Sequence, residues 1–439
     1  MENLFIGCLG VVILLLLLVL QTPVGFALGF VGVLGYAMVM TPTAALAVLG
    51  VLPFGSLAVY AFMTVPLFII MGMFLEHSDM GEELFKTGNL WFGNLRGGLI
   101  MATLFASAAF GAASGSSLAN SAIFSRLAIP QMVKAGVDKR FAAGAVAAVG
   151  TVDAMIPPSI TMVIYCIITN VSIAQTLIAG IIPGIFTVLV YAVMVYVRVY
   201  RNPSLAPLRS SDVIVTWRAR FSSLKGLWGI LALFILVLGG IYIGMITPTE
   251  GGGIGAAGAL ILTILTGRFS FRRTIKSLLD AGNSTSQVFF IILGGLLFSR
   301  FLSITGVAGG IIEWVASFDI NRYAIVVGIV LLYAVLGCFL DATSMMIITL
   351  PIVFPIIKKL GFDGVWFGII VTMSIELGLI TPPLGLNVYV VKSASPVPLS
   401  LGEVFQGVIW FVVMDLVILA ILISFPQISL FLPSLMGPS

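Results

Sequence analysis

Charge is what this sequence has least of. Only 9% of its 439 residues are Asp, Glu, Lys or Arg and 60% are hydrophobic, against roughly one-quarter charged in a soluble domain. Water is therefore excluded as its main solvent. Histidine is almost missing: His77 alone makes a histidine-based metal site or a Ser-His catalytic pair nearly untenable. The three cysteines, Cys8, Cys166 and Cys338, lie singly in apolar stretches. They form neither a disulfide framework nor a thiolate metal site and read as small core residues, so no transition metal and no organic cofactor is expected.

What is present is a succession of apolar runs, each near the 17 to 25 residues that carry a helix across a bilayer. The first, Leu4 to Leu20, lacks the basic leader and A-x-A cleavage pattern of a signal peptide and reads as a retained span. The fold class is an all-α polytopic membrane protein.

An internal repeat organises the spans. At one offset of 225 residues, Thr22-Pro23 meets Thr247-Pro248, Pro130 meets Pro355, Asp138 meets Asp363, and Pro157-Pro158 meets Pro382-Pro383. With a three-residue gap, Phe68 to Gly72 falls on Phe290 to Gly294. Residues 1–200 and 226–439 thus form two repeats joined by a basic linker, 201–225. Each has spanning helices, an amphipathic connector, a re-entrant hairpin, a helix broken at its Pro-Pro pair and a last span. In the first half the spans are expected near 4–20, 23–40, 51–76 and 172–197, the connector near 78–92, the hairpin over 95–133 and the broken helix over 138–168. Five crossings per half make an odd number, so the second repeat enters inverted.

Basic residues set the orientation, because loops rich in Lys and Arg stay cytoplasmic. The linker region carries Arg198, Arg201, Arg209, Arg218, Arg220 and Lys225 against Asp212, whereas the tail after Phe425 has no charged side chain. This topology puts 17 of the 21 basic residues on or toward the cytoplasmic side and both termini outside. The net charge of +4 is explained by orientation and membrane lipid, with no nucleic acid required.

Two features are poor lipid-facing helix. One is the small, polar stretch from Gly111 to Ser121, with a hairpin tip near Ser114-Gly115-Ser116-Ser117; glycine permits the turn, and freed carbonyls with serine hydroxyls are hard oxygen donors for a small cation. The other is the pair of breaks, over 151–159 and 376–387. Adjacent prolines remove backbone donors there, leaving half-helix ends that offer carbonyls to a cation and amides to an anion. Asp341, in the second tip near 337–344, falls opposite Ser116. An intramembrane carboxylate costs about 2.5 to 3.5 kcal/mol to insert and so calls for a partner. Glu376 and Asp153 receive no firm role. Arg126 and Lys392 read as snorkelling or capping groups. An intramembrane hydrolase on Ser116 or Asp341 lacks a histidine base, and no second acid has proteolytic spacing with Asp341, so no enzyme is expected.

The segments Ser114 to Ser117, Ala128-Ile129-Pro130, Ile156 to Ser159, Gly337 to Asp341, Pro351 to Pro355, Gly361-Phe362-Asp363, Val365 to Gly368, Thr381-Pro382-Pro383 and Gly385-Leu386-Asn387 together resemble the large membrane subunit of the tripartite ATP-independent periplasmic (TRAP) transporters. The likeness spans almost the whole chain. It implies a sodium symporter of small organic anions, dicarboxylate or sialic acid among them, working by an elevator motion. It also implies two partners: a small four-helix membrane subunit, here expected as a separate polypeptide, and a periplasmic substrate-binding protein. Sodium would be held by Ser114, Gly115, Ser116, Ser117, Thr151 and Pro157 at the first tip and break. At the second, the residues would be Asp341, Thr343, Ser344, Thr381 and Gly385. Substrate would meet Ser116, Ser159, Asp341 and Asn387. A stand-alone sodium/dicarboxylate symporter, needing no binding protein, is the alternative.

The basic linker generates a direct test of orientation. A cysteine placed at Arg209 should react with an impermeant maleimide only from the cytoplasmic face; labelling from the periplasm would reverse the topology.

Overall fold

The computed structural model describes residues 2–76, 78, 80–207, 216–307, 309–311, 313 and 321–436, and only the backbone of Ala113. His77, Arg209 and Asp212 lie outside the described residues. The chain is helical along its length. The first half holds α1 (Glu2–Val19), α2 (Val24–Val39), α3 (Pro42–Leu57), α4 (Thr64–Glu76), α5 (Met80–Phe92), α6 (Gly98–Ser114), α7 (Ser117–Leu127), α8 (Ile129–Lys134), α9 (Lys139–Val152), α10 (Ile160–Thr169) and α11 (Ile173–Arg201). The short α12 (Trp217–Ser223) leads to α13 (Trp228–Phe234) and α14 (Gly240–Tyr242), joined by one π-helical turn. Then come α15 (Pro248–Leu265), α16 (Phe271–Thr305), α17 (Arg322–Leu336), α18 (Ala342–Lys359), α19 (Gly364–Ile380), α20 (Leu386–Ala394), α21 (Leu401–Ser424) and α22 (Gln427–Ser434).

Local chemistry explains where these helices begin. Asp138 and Asp363, 225 residues apart, cap α9 and α19 in the same way: Oδ1 of each accepts two first-turn amides, at 2.9 and 3.1 Å in the first case and 2.7 and 3.0 Å in the second. Such caps satisfy amides that have no partner inside the helix. Thr247 with Glu250, and Ser400 with Glu403, close reciprocal capping boxes on α15 and α21, the second tied down by Lys139 at 2.6 Å.

Among the described residues, six helices are long and apolar enough to cross a membrane, or eight if two bent pairs each count as one span. The shorter apolar helices include the hairpin arm α6 and the half-helix α10, which are not built to cross alone. One span departs from the sequence expectation. The stretch 51–76 is no single helix: α3 ends at Leu57, Val59 is extended, a 3-10 turn covers Tyr60–Met63, and α4 leaves at 66° to α3. Pro66, in the first turn of α4, is tolerated there because its missing amide would have had no helical partner.

Helix contacts are reciprocal. α2 packs on α16 and α15 on α4; α9 packs on α21 and α19 on α11; α7 packs on α20 and α18 on α10. In each of these cases the second pair consists of the counterparts, at the 225-residue offset, of the first. Close crossings use glycine, as membrane helices do. A Cβ on Gly407 in α21 would lie 1.8 Å from the Arg140 carbonyl oxygen of α9, and one on Gly144 would lie 2.1 Å from the Gly407 carbonyl carbon.

Because that obstacle is backbone, Gly407→Val should cost more than the ~1–3 kcal/mol of ordinary overpacking. Gly402→Ala on the same helix, where a Cβ meets nothing within 4 Å, should be neutral. Thermal unfolding in detergent compares the two, and equal midpoints would refute the tight crossing.

Candidate functional site

Both hairpins turn sharply. In the first, α6 ends at Ser114, Gly115 takes φ 65°, and Ser116 caps α7, its Oγ accepting from the Ala119 amide at 3.4 Å. In the second, Asp341 occupies the equivalent cap of α18. Its Oδ2 accepts from the Ser344 amide at 3.1 Å, and its Oδ1 accepts from the Ser344 hydroxyl. The serine and the aspartate predicted to stand opposite one another are thus the N-caps of matched half-hairpins.

The breaks close onto these tips. Behind the first, Pro157-Pro158 leads to Ser159, which caps α10 by accepting from the Met162 amide at 3.3 Å. The Pro158 carbonyl oxygen lies 3.3 Å from where a Cβ on Gly115 would be, so tip and break touch. In the second break Gly385 takes φ 58°, and the carbonyl oxygens of Leu379 and Thr381 each lie 3.2 Å from where its Cβ would be. Cys338, from the second hairpin, points its thiol at the carbonyls of Thr381 and Pro382, at 3.5 and 3.4 Å. Both Pro-Pro bonds are cis.

One cavity of about 210 Å³ joins the two tips. Ser114, Gly115, Ser116 and Ser117 line it from the first, Asp341 and Thr343 from the second. Gly72 and Glu76 of α4, Ser284 of α16 and Glu376 of α19 also line it. Other predicted residues lie off its wall. Thr151 turns its hydroxyl back to the Ala148 carbonyl at 2.6 Å, and Thr381 does the same to Leu377 at 2.6 Å. Pro157, Ser159, Ser344 and Asn387 are buried behind the lining.

Glu376 takes a larger part than its place in the sequence suggested. It is buried on α19, of the second half, yet Ser117 of the first hairpin lies within hydrogen-bond reach of both its carboxylate oxygens, at 3.0 and 2.9 Å. Asp153 is fully buried at the end of α9, against Gly111, where a Cβ would come within 1.9 Å of its own. It approaches Ser117 and Asn120 without reaching hydrogen-bond geometry: both its oxygens, the Ser114 hydroxyl and both side-chain polar atoms of Asn387 are buried without a partner. Buried polar atoms are nearly always paired, so this group around the tips is chemically unsatisfied. Ser284 was legible in principle, since Asn283-Ser284-Thr285-Ser286-Gln287 is a run of uncharged polar residues directly before the apolar stretch Val288 to Phe298.

The sequence profile of the family described as the tripartite ATP-independent periplasmic transporter, DctM component, matches residues 11–428. The chain is 35% identical over 385 residues to the C4-dicarboxylate TRAP transporter large permease protein DctM of Pseudomonas aeruginosa, covering 87% of this chain and 88% of that protein. It is 27% identical to the sialic acid TRAP transporter large permease protein SiaM of Vibrio cholerae, over 94% and 95% of the two chains. It is 30% identical to the ectoine/5-hydroxyectoine large permease protein UehC of Ruegeria pomeroyi, over 84% and 85%. These relatives are named as permeases, not as enzymes. Among solved structures, the YdaH transporter of Alcanivorax borkumensis superposes over 90% of each chain with a TM-score of 0.66 at 14% identity, a likeness of fold alone.

The Ser117–Glu376 contact yields an ordering. Ser117→Ala leaves a buried carboxylate without its donor and should cost about 1–3 kcal/mol, whereas Ser116→Ala, removing a long capping bond, should cost about 0.5–1 kcal/mol. Unfolding midpoints in the reverse order would argue against the cross-repeat bond.

Proposed function

The chain belongs to the DctM-component family of the tripartite ATP-independent periplasmic transporters, a multi-pass permease subunit, and from that premise we propose that it imports a small organic anion coupled to sodium. On this reading it works with a small four-helix membrane subunit and a periplasmic substrate-binding protein that delivers the solute. The names of its relatives, for C4-dicarboxylates and sialic acid, favour a carboxylate as that solute.

One observation carries the reading: a single cavity is lined by both re-entrant tips together with residues of α4 and α16. A solute held there is released to one face or the other by sliding the tips along α4 and α16, which is the elevator motion proposed here. Sodium suits the donors around the tips, because they are hard, uncharged or singly charged oxygens and several lack any partner. At the first tip, Ser114, Gly115, Ser116 and Ser117 with the Pro157-Pro158 carbonyls would hold one ion; bound there, it would offset the negative charge of an entering carboxylate. At the second, Asp341, Thr343 and Ser344 with the carbonyls gathered on Gly385 would hold another. Thr151 and Thr381 then contribute through the backbone, since their hydroxyls are turned away. Ser116 and Asp341 face the solute, with Ser159 and Asn387 supporting the half-helix ends behind them. An inverted arrangement of the two repeats in the bilayer accounts for both the odd number of crossings and the basic loops.

The reading is tested in proteoliposomes containing both membrane subunits and a loaded dicarboxylate-binding protein. Uptake should require an inward sodium gradient, and Ser116→Leu or Asp341→Ala should reduce it to background while insertion is unaffected. Sodium dependence unchanged in both variants would remove the assigned sites, and uptake without any binding protein would establish the stand-alone symporter instead.

A further inference from the structure

Far from the tips, a groove of about 690 Å³ runs along α11 beside α21. Its floor is a stripe of Phe186, Val190, Val193 and Val197, spaced by three and four residues and so on one helix face. Val193 is 62% exposed, so the groove is open sideways rather than closed over by the chain. From Phe186 to Arg201 the helix rises roughly 22 Å at about 1.5 Å per residue, more than the roughly 15 Å of hydrocarbon in one leaflet. A whole acyl chain fits along it.

Apolar faces are ordinary in a bilayer; the end of this one is not. Arg198 and Arg201 both line it, and neither forms an ion pair among the described residues. Arg198 is held in place, its guanidinium carbon 4.7 Å from the Phe141 ring centroid and 5.2 Å from that of Trp410, contacts favourable to a cation. The acid that acts on it, Asp138, is already the cap of α9. The neighbouring basic residues are engaged elsewhere, Lys139 with Glu403 and Arg140 with Gln406. Two guanidiniums without an ion pair at the foot of a chain-length apolar groove match a phosphodiester, which a planar guanidinium binds through two parallel hydrogen bonds. Basic pockets between membrane helices recognise anionic headgroups in this way.

We propose that this groove is a binding site for one anionic phospholipid, its acyl chain along α11 against Trp410 and Met414 and its phosphate on Arg198 and Arg201. The site is independent of the transported solute and of the coupling ion. It is tested in phosphatidylcholine nanodiscs doped with chain-brominated phosphatidylglycerol, reading quenching of Trp410 as the difference between the unaltered protein and Trp410→Phe. Quenching should exceed severalfold that given by the same fraction of brominated phosphatidylcholine. Arg201→Gln, at an exposed position, should weaken the excess; Arg198→Gln/Arg201→Gln should abolish it, and Arg201→Lys should keep most of it. Equal quenching by the two brominated lipids, or an excess that survives the double substitution, overturns the proposal. Absence of quenching by either lipid, as when a second protein surface covers the groove, overturns it too.

Discussion

Hydrocarbon offers no hydrogen bonds, and each backbone group left bare in it costs several kcal/mol; a membrane protein that breaks its helices must therefore supply the missing partners from within. At its two tips and two breaks this chain answers with short polar side chains. Ser116, Ser159 and Asp341 cap the helices that restart, and the Cys338 thiol meets the carbonyls of the second break. What these local answers leave over is the orphaned group of Ser114, Asp153 and Asn387, and that remainder gives the proposed ion and solute sites their chemistry.

The same constraint explains why the two halves are interlocked rather than side by side. Each broken helix packs on an element of the other half, α9 on α21 and α19 on α11. Ser117 on Glu376 carries this to atomic detail, with a hydroxyl of one repeat engaging a carboxylate of the other. At the position matching Glu376 the first repeat has Thr151, and at the position matching Gly378 it has Asp153. The pseudo-symmetric frame thus carries chemically different contents: where the second hairpin makes a glycine-on-glycine crossing through Gly337 and Gly378, the first packs Gly111 on an acid.

Much of the plan was legible because it is written in residues that act locally. Asp138 and Asp363, or Thr247 with Glu250, announce helix starts through bonds to amides two or three residues on, and a shared offset reveals their relation. Membership of the cavity was less legible, because it depends on where a side chain turns after the backbone is placed. Thr151 and Thr381 carry the right hydroxyl but return it to the preceding helical turn. Glu376 looked like a residue of its own break, and only the packing of one half on the other brings it to Ser117. The fracture of 51–76 was hidden for a related reason: Leu57 to Met63 is apolar throughout, and hydropathy does not distinguish a straight span from a bent one.

That fracture sets a limit on the symmetry. Two identical units related by a two-fold could trade conformations and regenerate an equivalent molecule, leaving two states equal in free energy. Here the first unit turns through 66° between α3 and α4, while its counterpart α16 runs unbroken for 35 residues. Trading conformations would require one helix to straighten and the other to snap. The two halves are therefore not conformationally interchangeable.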